Sequence, residues 1–378
     1  MADRAGRPSG NLPLVVVAAG GTGGHLFPAE ALAVALAKRS VAVDLATDER
    51  AALYGKEFPA RQTHIIPSAT VRGRDPISLA RTGLRLAQGT LRAFLLFGRL
   101  NPAAVIGFGG YPTIPPVLAA AWRRIPTLIH EQNGVMGRAN RFLSSRVRAI
   151  ATSFPGALAR EPALAAKATH TGNPVRPAVI EAAKVLYVPH GRPGPINLLV
   201  FGGSQGARIM ADIVPAAVEL LPVAVRASLA VTQQARPEDI ERVRATYARL
   251  GTAAEIAPFF ADLPARIAQS HLVVSRSGAS TVAELAAIGR PAILVPLPHA
   301  LDQDQRANAA VLEQAGGAIR IDQTAFTPDK LASEIARIVV EPDRLAIMAQ
   351  RARAAGAPDA ADRLAELVLR VAGLIGGA

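Results

Sequence analysis

The chain has 378 residues, which corresponds to two or three domains of ordinary size. Half of its residues are hydrophobic and 19% are charged, a balance that excludes a disordered basic protein, and the lack of cysteine excludes disulfides, thiolate metal sites and a cysteine nucleophile. Lys and Arg number 42 against 29 Asp and Glu, so the formal net charge of +13 predicts an anionic partner such as nucleic acid, an anionic membrane or an acidic substrate.

Short apolar segments alternate with Ala- and Leu-rich segments in two successive series along the chain. Continuous apolar strands separated by helices are typical of parallel sheets that are covered on both faces. The pattern therefore predicts an α/β fold with two Rossmann-like, doubly wound domains. The predicted strands are 14–19, 41–46, 64–66, 104–107, 127–130 and 149–152 in the first series, and 196–201, 228–231, 253–257, 272–274, 292–295 and 318–321 in the second.

Two helix-breaking stretches rich in Gly and Pro, 172–177 and 191–195, place the boundary between the two series. We predict a first domain over 1–172, a second over 173–355, and a C-terminal helix within 356–378 that packs back on the first domain. Ligands of doubly wound sheets bind at the carboxyl ends of the strands. We therefore expect the two domains to face a central cleft that holds the ligands.

Three glycine-rich turns, 20–25, 107–112 and 202–208, each follow a predicted strand. Glycine lets the backbone approach a ligand closely, and the helix that follows presents unpaired N–H groups and partial positive charge. Each turn is thus a candidate cradle for a diphosphate, and tight packing of strand against helix is the alternative interpretation. None has the spacing of a P-loop, and the first lacks the dinucleotide-binding spacing, which leaves a dinucleotide fold as the second choice.

A fourth junction between strand and helix, 275–284, carries more polar side chains. Ser277 and Ser280 are residue types that cap helix N-termini, and the N–H groups of 279–281 would face a phosphate. Glu284 follows about one turn later, where its carboxylate would accept hydrogen bonds from a ribose diol. The alternative is a capping box in which Glu284 pairs with Ser280 or Thr281.

Six motifs occur in order between about residues 14 and 308: GGTGGHLFPAEALA, GFGGYPTIP, HEQN, GNPVR, GGSQGAR and SRSGASTVAEL. Together they resemble the bacterial family of undecaprenyl-diphospho-muramoylpentapeptide β-N-acetylglucosaminyltransferases, which make lipid II for peptidoglycan. The resemblance implies a GT-B architecture and inverting transfer of N-acetylglucosamine from UDP-N-acetylglucosamine to the C4 hydroxyl of lipid-linked muramoyl pentapeptide. It also implies a peripheral protein at the cytoplasmic face of the inner membrane, with anionic lipid and other cell-wall synthesis and division proteins as partners, and with roles in cell shape and division.

The resemblance carries a set of UDP-N-acetylglucosamine contacts over to this chain. Phe260 stands where the family often has Ile, and an extra residue after His299 leaves the sugar contact open between Gln305 and Asp304. The implied donor contacts are Thr22, Gly23, Gly24, Asn133, Arg176, Ser204, Phe260, Arg276, Ala279, Ser280, Thr281, Val282, Ala283, Glu284 and Gln305. The first two glycine-rich turns are assigned to the acceptor diphosphate through Gly20, Gly21, Gly109, Gly110 and Tyr111.

A single displacement at the sugar carbon needs a base for the acceptor hydroxyl and stabilisation of the leaving diphosphate. His25, on the first glycine-rich turn, is the candidate base because the pKa of histidine lies near the working pH. The alternative is that His25 caps its helix or binds phosphate or sugar. Asp302 and Asp304 have the spacing of a metal-binding pair but lie where donor-sugar contacts are expected, so we predict no metal ligands and no cofactor.

The segment 76–99 is predicted to form an amphipathic helix at the membrane. At 3.6 residues per turn its arginines share about 40° of arc beside one apolar stripe, and a second apolar stripe lies on the far side. One stripe would face the sheet while the other meets lipid, with the arginines at the headgroups; a solvated surface helix is the alternative. The arginines are Arg81, Arg85, Arg92 and Arg99, and the stripes are Ile77, Leu84, Leu91 and Leu95, and Leu79, Leu86, Phe94 and Phe97.

Two other functions compete with the glycosyltransferase. A UDP-N-acetylglucosamine 2-epimerase of the same architecture would share the donor half but would need neither the second glycine-rich turn nor the membrane stripe. A basic nucleic-acid-binding protein would need arginines near aromatic residues or in a recognition helix, and aromatic residues make up only 4% of the chain. We therefore predict that nucleic acid is not a partner.

Overall fold

A computed structural model describes residues 12–20, 23–49, 58–69, 75–159, 161–189, 195–203, 206–298 and 304–376. Its chain divides into two compact units. Unit 1 takes the described residues up to Gln132, then Met136–Pro174 and those from Asp359 onward, and unit 2 takes Asn133–Val135 and Val175–Pro358.

Unit 1 is built on a parallel sheet of seven strands in the order β3-β2-β1-β4-β5-β6-β7. The strands are β1 (Leu14–Ala18), β2 (Ala42–Thr47), β3 (Gln62–Ile65), β4 (Ala104–Gly107), β5 (Thr127–Glu131), β6 (Ala149–Thr152) and β7 (Ala168–His170). The helices are α1 (Gly23–Ala37), α2 (Pro76–Leu100), α3 (Ile114–Trp122), α4 (Arg138–Ser144), α5 (Pro162–Ala165) and, from the C-terminal end of the chain, α15 (Ala360–Val371).

Unit 2 is built on a parallel sheet of six strands in the order β10-β9-β8-β11-β12-β13. The strands are β8 (Ile196–Phe201), β9 (Leu229–Gln234), β10 (Ala253–Ala257), β11 (Leu272–Ser275), β12 (Ala292–Leu294) and β13 (Ala318–Arg320). The helices are α6 (Pro177–Ala182), α7 (Arg208–Leu220), α8 (Val223–Ala227), α9 (Ile240–Arg249), α10 (Leu263–Gln269), α11 (Ala279–Ile288), α12 (Asp304–Ala315), α13 (Pro328–Val339) and α14 (Pro342–Ala354).

The prediction of two Rossmann-like units with parallel sheets is confirmed. Strand β7 was not predicted, because its three residues form an edge strand without a continuous apolar run. Strand β9 runs three residues further than predicted, to Gln234. The polar Gln233 can lie in that strand because its side chain donates to the Met210 carbonyl and accepts from the Tyr247 hydroxyl, which leaves neither end of the buried amide unpaired.

The boundary between the units and the C-terminal helix differ in detail from the sequence prediction. The main part of unit 2 begins at Val175, two residues later than predicted, and runs to Pro358, three residues further than predicted; unit 2 also takes Asn133–Val135. Helix α15 lies in unit 1, where Leu364 and Val368 are fully buried in the same core as Leu32 of α1. An ion pair of 2.8 Å joins Arg39 to Asp362 at the edge of this contact.

Two glycines of α2 offer a matched test of how this helix packs against the rest of unit 1. A Cβ added at Gly89 would lie 2.0 Å from the Pro67 carbonyl oxygen, whereas a Cβ at Gly83 would meet nothing within 4 Å. Gly89→Ala should destabilise the protein by about 1–3 kcal/mol through overpacking, and Gly83→Ala should stabilise it by about 0.5–1 kcal/mol through helix propensity. Urea unfolding followed by circular dichroism measures both changes, and equal midpoints for the two variants would contradict the packing of α2.

Candidate functional site

The N-terminus of α11 lies at the carboxyl end of β11 in unit 2. Gly278, with φ −60° and ψ 149°, is the capping residue and has no side chain with which to cap the helix. The predicted serine caps and the capping box with Glu284 are therefore wrong. The Ser277 hydroxyl donates instead to the Gln305 carbonyl at 2.8 Å, because Ser277 lies one residue before the capping position and is fully buried. This helix end offers its first backbone N–H groups to an anion.

Arg176 and Glu284 are 108 positions apart in the sequence but form an ion pair in unit 2. The Arg176 Nη2 donates to Glu284 Oε1 at 3.1 Å, and the two side chains are 21% and 8% exposed. Burial raises the pKa of the Glu284 carboxyl above its usual value, and the Arg176 guanidinium opposes that rise. The pair places a carboxylate and a guanidinium beside the first turns of α11.

Asn308, on α12, is a site residue that the sequence interpretation missed. It is fully buried, its Oδ1 accepts from the Gly134 N–H at 2.8 Å, and its Nδ2 donates to Asn133 Oδ1 at 3.0 Å and to the Ser277 carbonyl at 3.2 Å. One side chain therefore ties Asn133 to the chain just before α11. The available signal was its position one helical turn after the candidate sugar contacts Asp304 and Gln305.

Three further predicted donor contacts have side chains engaged within unit 2. Arg276 donates to the carbonyls of Val295 and Pro296 and to the Gln323 side chain, so its guanidinium braces the segment that follows β12. The other two are Phe260, whose ring lies 4.3 Å below the Arg266 guanidinium, and Gln305, whose Oε1 accepts from the Leu297 N–H at 3.1 Å.

The start of α12 carries both candidates for the sugar contact, Asp304 and Gln305. Asp304 is the first residue of the helix, and its carboxylate accepts from the Gln305 N–H at 2.7 Å. Ala279, Ser280, Thr281, Val282 and Ala283 form the first turns of α11.

In unit 1, His25 of the first turn packs against the second glycine-rich turn. A Cβ at Gly109 or Gly110 would come 3.5 Å from the His25 ring, and both glycines have positive φ, 85° and 73°. The His25 Nδ1 lies 3.2 Å from Gln132 Oε1. Burial lowers the pKa of His25 below its usual value, and hydrogen bonds to Gln132 and the Phe108 backbone oppose this. The imidazole is therefore favoured in its neutral form, the form that can accept a proton.

Several glycines of the turns have a packing reason that is independent of any ligand. A Cβ at Gly20 would lie 2.8 Å from the Pro112 Cβ, and one at Gly202 would lie 2.3 Å from the Ala207 nitrogen. The predicted contacts Gly23 and Gly24 begin α1, and Tyr111 begins a short 3-10 turn before α3. Three predicted site residues lie outside the described residues, namely Gly21, Thr22 and Ser204.

His130 and Glu131 at the end of β5 form a buried polar network. The His130 ring is fully buried, with Nε2 at 3.2 Å from the Gly172 carbonyl oxygen, and burial lowers its pKa to about 4. The Glu131 carboxylate accepts from the Gly137 N–H at 3.0 Å and from the Asn140 side chain at 2.8 Å. These residues fix the course of the chain on either side of Gln132.

Helix α2 exposes one of its two predicted apolar stripes, a choice that the sequence prediction left open. Its outer face carries Ile77 at 65% exposure, Leu84 at 62%, Leu91 at 61% and Leu95 at 56%. On the opposite side Phe97 is buried, and Leu86 and Phe94 are half-buried, whereas Leu79 near the start of the helix is exposed. The four arginines Arg81, Arg85, Arg92 and Arg99 are all exposed beside the stripe.

The described residues contain neither a cluster of metal ligands nor a membrane-spanning helix. Over the described parts of the chain, no three His, Asp or Glu side chains come together as a metal site would require. Among the helices that the structure describes, none has the length and apolar character needed to cross a bilayer.

Comparison with known proteins gives matches over almost the whole chain. The glycosyltransferase family 28 N-terminal domain matches residues 15–152, and the family 28 C-terminal domain matches residues 197–364. A Rhodopseudomonas palustris protein is 63% identical over 360 residues, covering 95% of this chain and 98% of its own. It is named UDP-N-acetylglucosamine--N-acetylmuramyl-(pentapeptide) pyrophosphoryl-undecaprenol N-acetylglucosamine transferase.

Solved structures also match over almost the whole chain. The crystal structure of Acinetobacter baumannii MurG is 28% identical and has a TM-score of 0.77, over 95% of this chain and 99% of that one. A UDP-N-acetylglucosamine 2-epimerase from Neisseria meningitidis, bound to its nucleotide sugar, has a TM-score of 0.67 at 13% identity, over 95% of this chain and 100% of its own. At that identity the epimerase shares the fold alone.

His130 should make the stability of the protein depend on pH. Its pKa is about 4 in the folded state and about 6.5 in an unfolded chain, so between these values only the unfolded state binds the proton. The contribution is complete above about pH 6.5 and is lost as the pH falls towards 4, by about 3 kcal/mol in total. His130→Gln should flatten this part of the stability curve, as measured by urea unfolding at several pH values. Parallel curves for the variant and the wild type would contradict the burial of a neutral imidazole.

Proposed function

The chain belongs to glycosyltransferase family 28, and on that premise we infer that it is the N-acetylglucosamine transferase of lipid II synthesis. It moves N-acetylglucosamine from UDP-N-acetylglucosamine to muramyl-(pentapeptide) pyrophosphoryl-undecaprenol, as its 63% identical relative is named for doing. The motif resemblance seen in the sequence is thereby confirmed. The roles of individual residues, the stereochemistry and the membrane association are our proposals.

The donor site in unit 2 is the observation that carries the proposal. The α11 N-terminus, capped by a glycine, would receive a phosphate of the nucleotide sugar on its backbone N–H groups. The Glu284 carboxylate would accept hydrogen bonds from the ribose hydroxyls, because it is buried and held beside this helix end by Arg176. Arg176 in turn would supply positive charge to the leaving diphosphate.

Other donor contacts are proposed from the family resemblance. Asn133 is supported by its anchorage through Asn308 to Ser277, which places it in unit 2 beside the start of α11. Gln305 and Asp304 both remain candidates for the sugar hydroxyls at the start of α12. The rest of the proposed set is Thr22, Gly23, Gly24, Ser204, Phe260, Arg276 and 279–283.

The acceptor side is proposed for unit 1. Gly109 and Gly110, with successive positive φ values, would present their N–H groups to the acceptor diphosphate, together with Gly20, Gly21 and Tyr111. His25 would take the proton of the C4 hydroxyl while its oxygen attacks the sugar C1 from the face opposite the diphosphate. The C1–O bond to UDP then breaks with its electron pair leaving on the phosphate, so the configuration at C1 inverts.

The exposed face of α2 is proposed as the membrane contact. Its leucines would enter the boundary between headgroups and acyl chains, and its four arginines would pair with anionic headgroups. Such a contact would bring the protein to its lipid-linked acceptor, and the family resemblance implies the cytoplasmic face of the inner membrane. Association with other cell-wall synthesis and division proteins stays a prediction.

Replacing Glu284 tests the donor site. Glu284→Gln keeps the shape of the side chain but removes the charge, so it weakens both the ribose contact and the bond from Arg176. We expect kcat/KM for UDP-N-acetylglucosamine to fall about 10- to 100-fold, which corresponds to loss of a hydrogen bond to a charged group. The assay measures transfer of labelled N-acetylglucosamine to a lipid-linked muramyl pentapeptide.

The matched control for this assay is Glu241→Gln. Glu241 lies on α9 with an 84% exposed side chain and forms an ion pair with Arg244 of its own helix. It should leave kcat/KM unchanged. If the wild type transfers no N-acetylglucosamine, the proposed function fails; if Glu284→Gln matches the control, the proposed role of Glu284 fails.

Replacing two exposed leucines tests the membrane face. Leu84→Glu with Leu91→Glu puts two carboxylates on the outer face of α2, where they meet the hydrocarbon boundary and repel anionic lipid. We expect binding to phosphatidylglycerol-containing vesicles, measured by flotation, to fall about tenfold or more.

A double variant of unit 2 controls for the added charge. Leu220 and Val223 are exposed at 52% and 71%, and replacing both by Glu adds the same charge to unit 2 instead of to α2. This variant should float like the wild type. Equal losses in the two double variants, or wild-type binding that is insensitive to salt and to anionic lipid, would contradict the assignment of α2.

A further inference from the structure

Gln132, immediately after β5, has contacts that decide which nitrogen of His25 carries a proton. The side chain is 4% exposed. Its Nε2 donates to the Phe108 carbonyl at 3.2 Å, and its Oε1 lies 3.2 Å from His25 Nδ1. Both ends of one buried amide are therefore hydrogen-bonded, one to the second glycine-rich turn and the other to the candidate base.

The orientation of this amide follows from its partner on the turn. A backbone carbonyl only accepts, so the end that faces Phe108 must be the NH2 group, and the end that faces His25 must be the carbonyl oxygen. That oxygen also only accepts, so His25 Nδ1 must donate. Turning the amide over would place two acceptors together at Phe108 and lose that hydrogen bond. A neutral imidazole has one N–H, and the lone pair is therefore on Nε2.

The other edge of the imidazole faces the second glycine-rich turn. A Cβ at Gly110 would lie 3.5 Å from His25 Nε2, so a side chain at that position would crowd this nitrogen. The titratable groups near the ring include His130, whose pKa is lowered to about 4 mainly by burial and also by the charge of His25. Gln132 is uncharged, so it orients the ring without holding it in the protonated form.

We propose that Gln132 is a positioning residue that keeps His25 in the Nδ1–H tautomer, with the Nε2 lone pair available to the acceptor hydroxyl. This inference rests on the proposed function of His25 as the base. The hydroxyl proton moves to Nε2, the oxygen forms its bond to the sugar C1, and the electron pair of the breaking C1–O bond leaves with UDP. The resulting imidazolium donates from Nδ1 to Gln132 Oε1, which stabilises the charge as it forms.

Nitrogen NMR of the full-length protein tests the tautomer without substrate. In protein labelled with ¹⁵N-histidine, the His25 signals are assigned by their loss in His25→Ala. The wild type should show a protonated Nδ1 and an unprotonated Nε2 near neutral pH. Gln132→Met, which is similar in length but offers only a weakly accepting sulfur in place of the amide oxygen, should shift His25 towards the Nε2–H tautomer. It should also lower kcat about tenfold or more with little change in KM for UDP-N-acetylglucosamine.

A second buried glutamine provides the matched control. Gln233 of unit 2 is likewise buried and donates to a backbone carbonyl, that of Met210, but it contacts Tyr247 instead of a histidine. Gln233→Met should lower stability and leave both the His25 tautomer and kcat unchanged. A wild-type His25 protonated at Nε2, or an unchanged tautomer or kcat in Gln132→Met, would overturn the proposal. Because the spectra need no substrate, absence of transfer by the wild type would instead overturn the proposed function.

Discussion

The shared direction of the strands is the constraint on which both candidate sites depend. In a parallel sheet all carboxyl ends lie at one edge, and each following helix begins there with N–H groups that have no partner within the helix. In unit 2 this edge carries the α11 N-terminus, and in unit 1 it carries the turns around His25 and Gly109. Because the strands are buried and apolar, this edge is also where polar residues can lie close to backbone without disrupting the core.

Buried polar side chains hold the geometry of these edges. Asn308 joins three segments of unit 2, and Gln132 joins two turns of unit 1. At the opposite edge of the sheet in unit 2, the fully buried Arg290 donates to the carbonyls of Ala268, Ile288 and Gly289 at the C-terminal ends of α10 and α11. Each such group is costly to bury unless its partners are in place, so the network favours one arrangement of the loops.

The sequence predictions were accurate where the structure depends on residues close together in the chain, and they failed where it depends on contacts between distant residues. Strands such as β4, β6 and β8 have their predicted bounds because a continuous apolar run is a local pattern. The face of α2 was also predictable, since helical periodicity alone aligns its leucines and arginines. The cap of α11 was predicted wrongly because Ser277 is a good capping residue by type, but its hydroxyl bonds to Gln305 from a distant helix. Local propensity does not include such a partner.

The sequence by itself determined the parallel α/β class, the glycine-rich turns after the strands, the charged and apolar face of α2, and the family through its ordered motifs. Each of these depends on residues that are close together in the chain. The tertiary structure alone decided the pairing of Arg176 with Glu284, 108 positions apart, and of His25 with Gln132, 107 positions apart. The second pair depends on the strand order of unit 1, which brings β5 beside β4 and β4 beside β1, and the first depends on the packing of α6 against α11 in unit 2. No local pattern in the sequence specifies either arrangement.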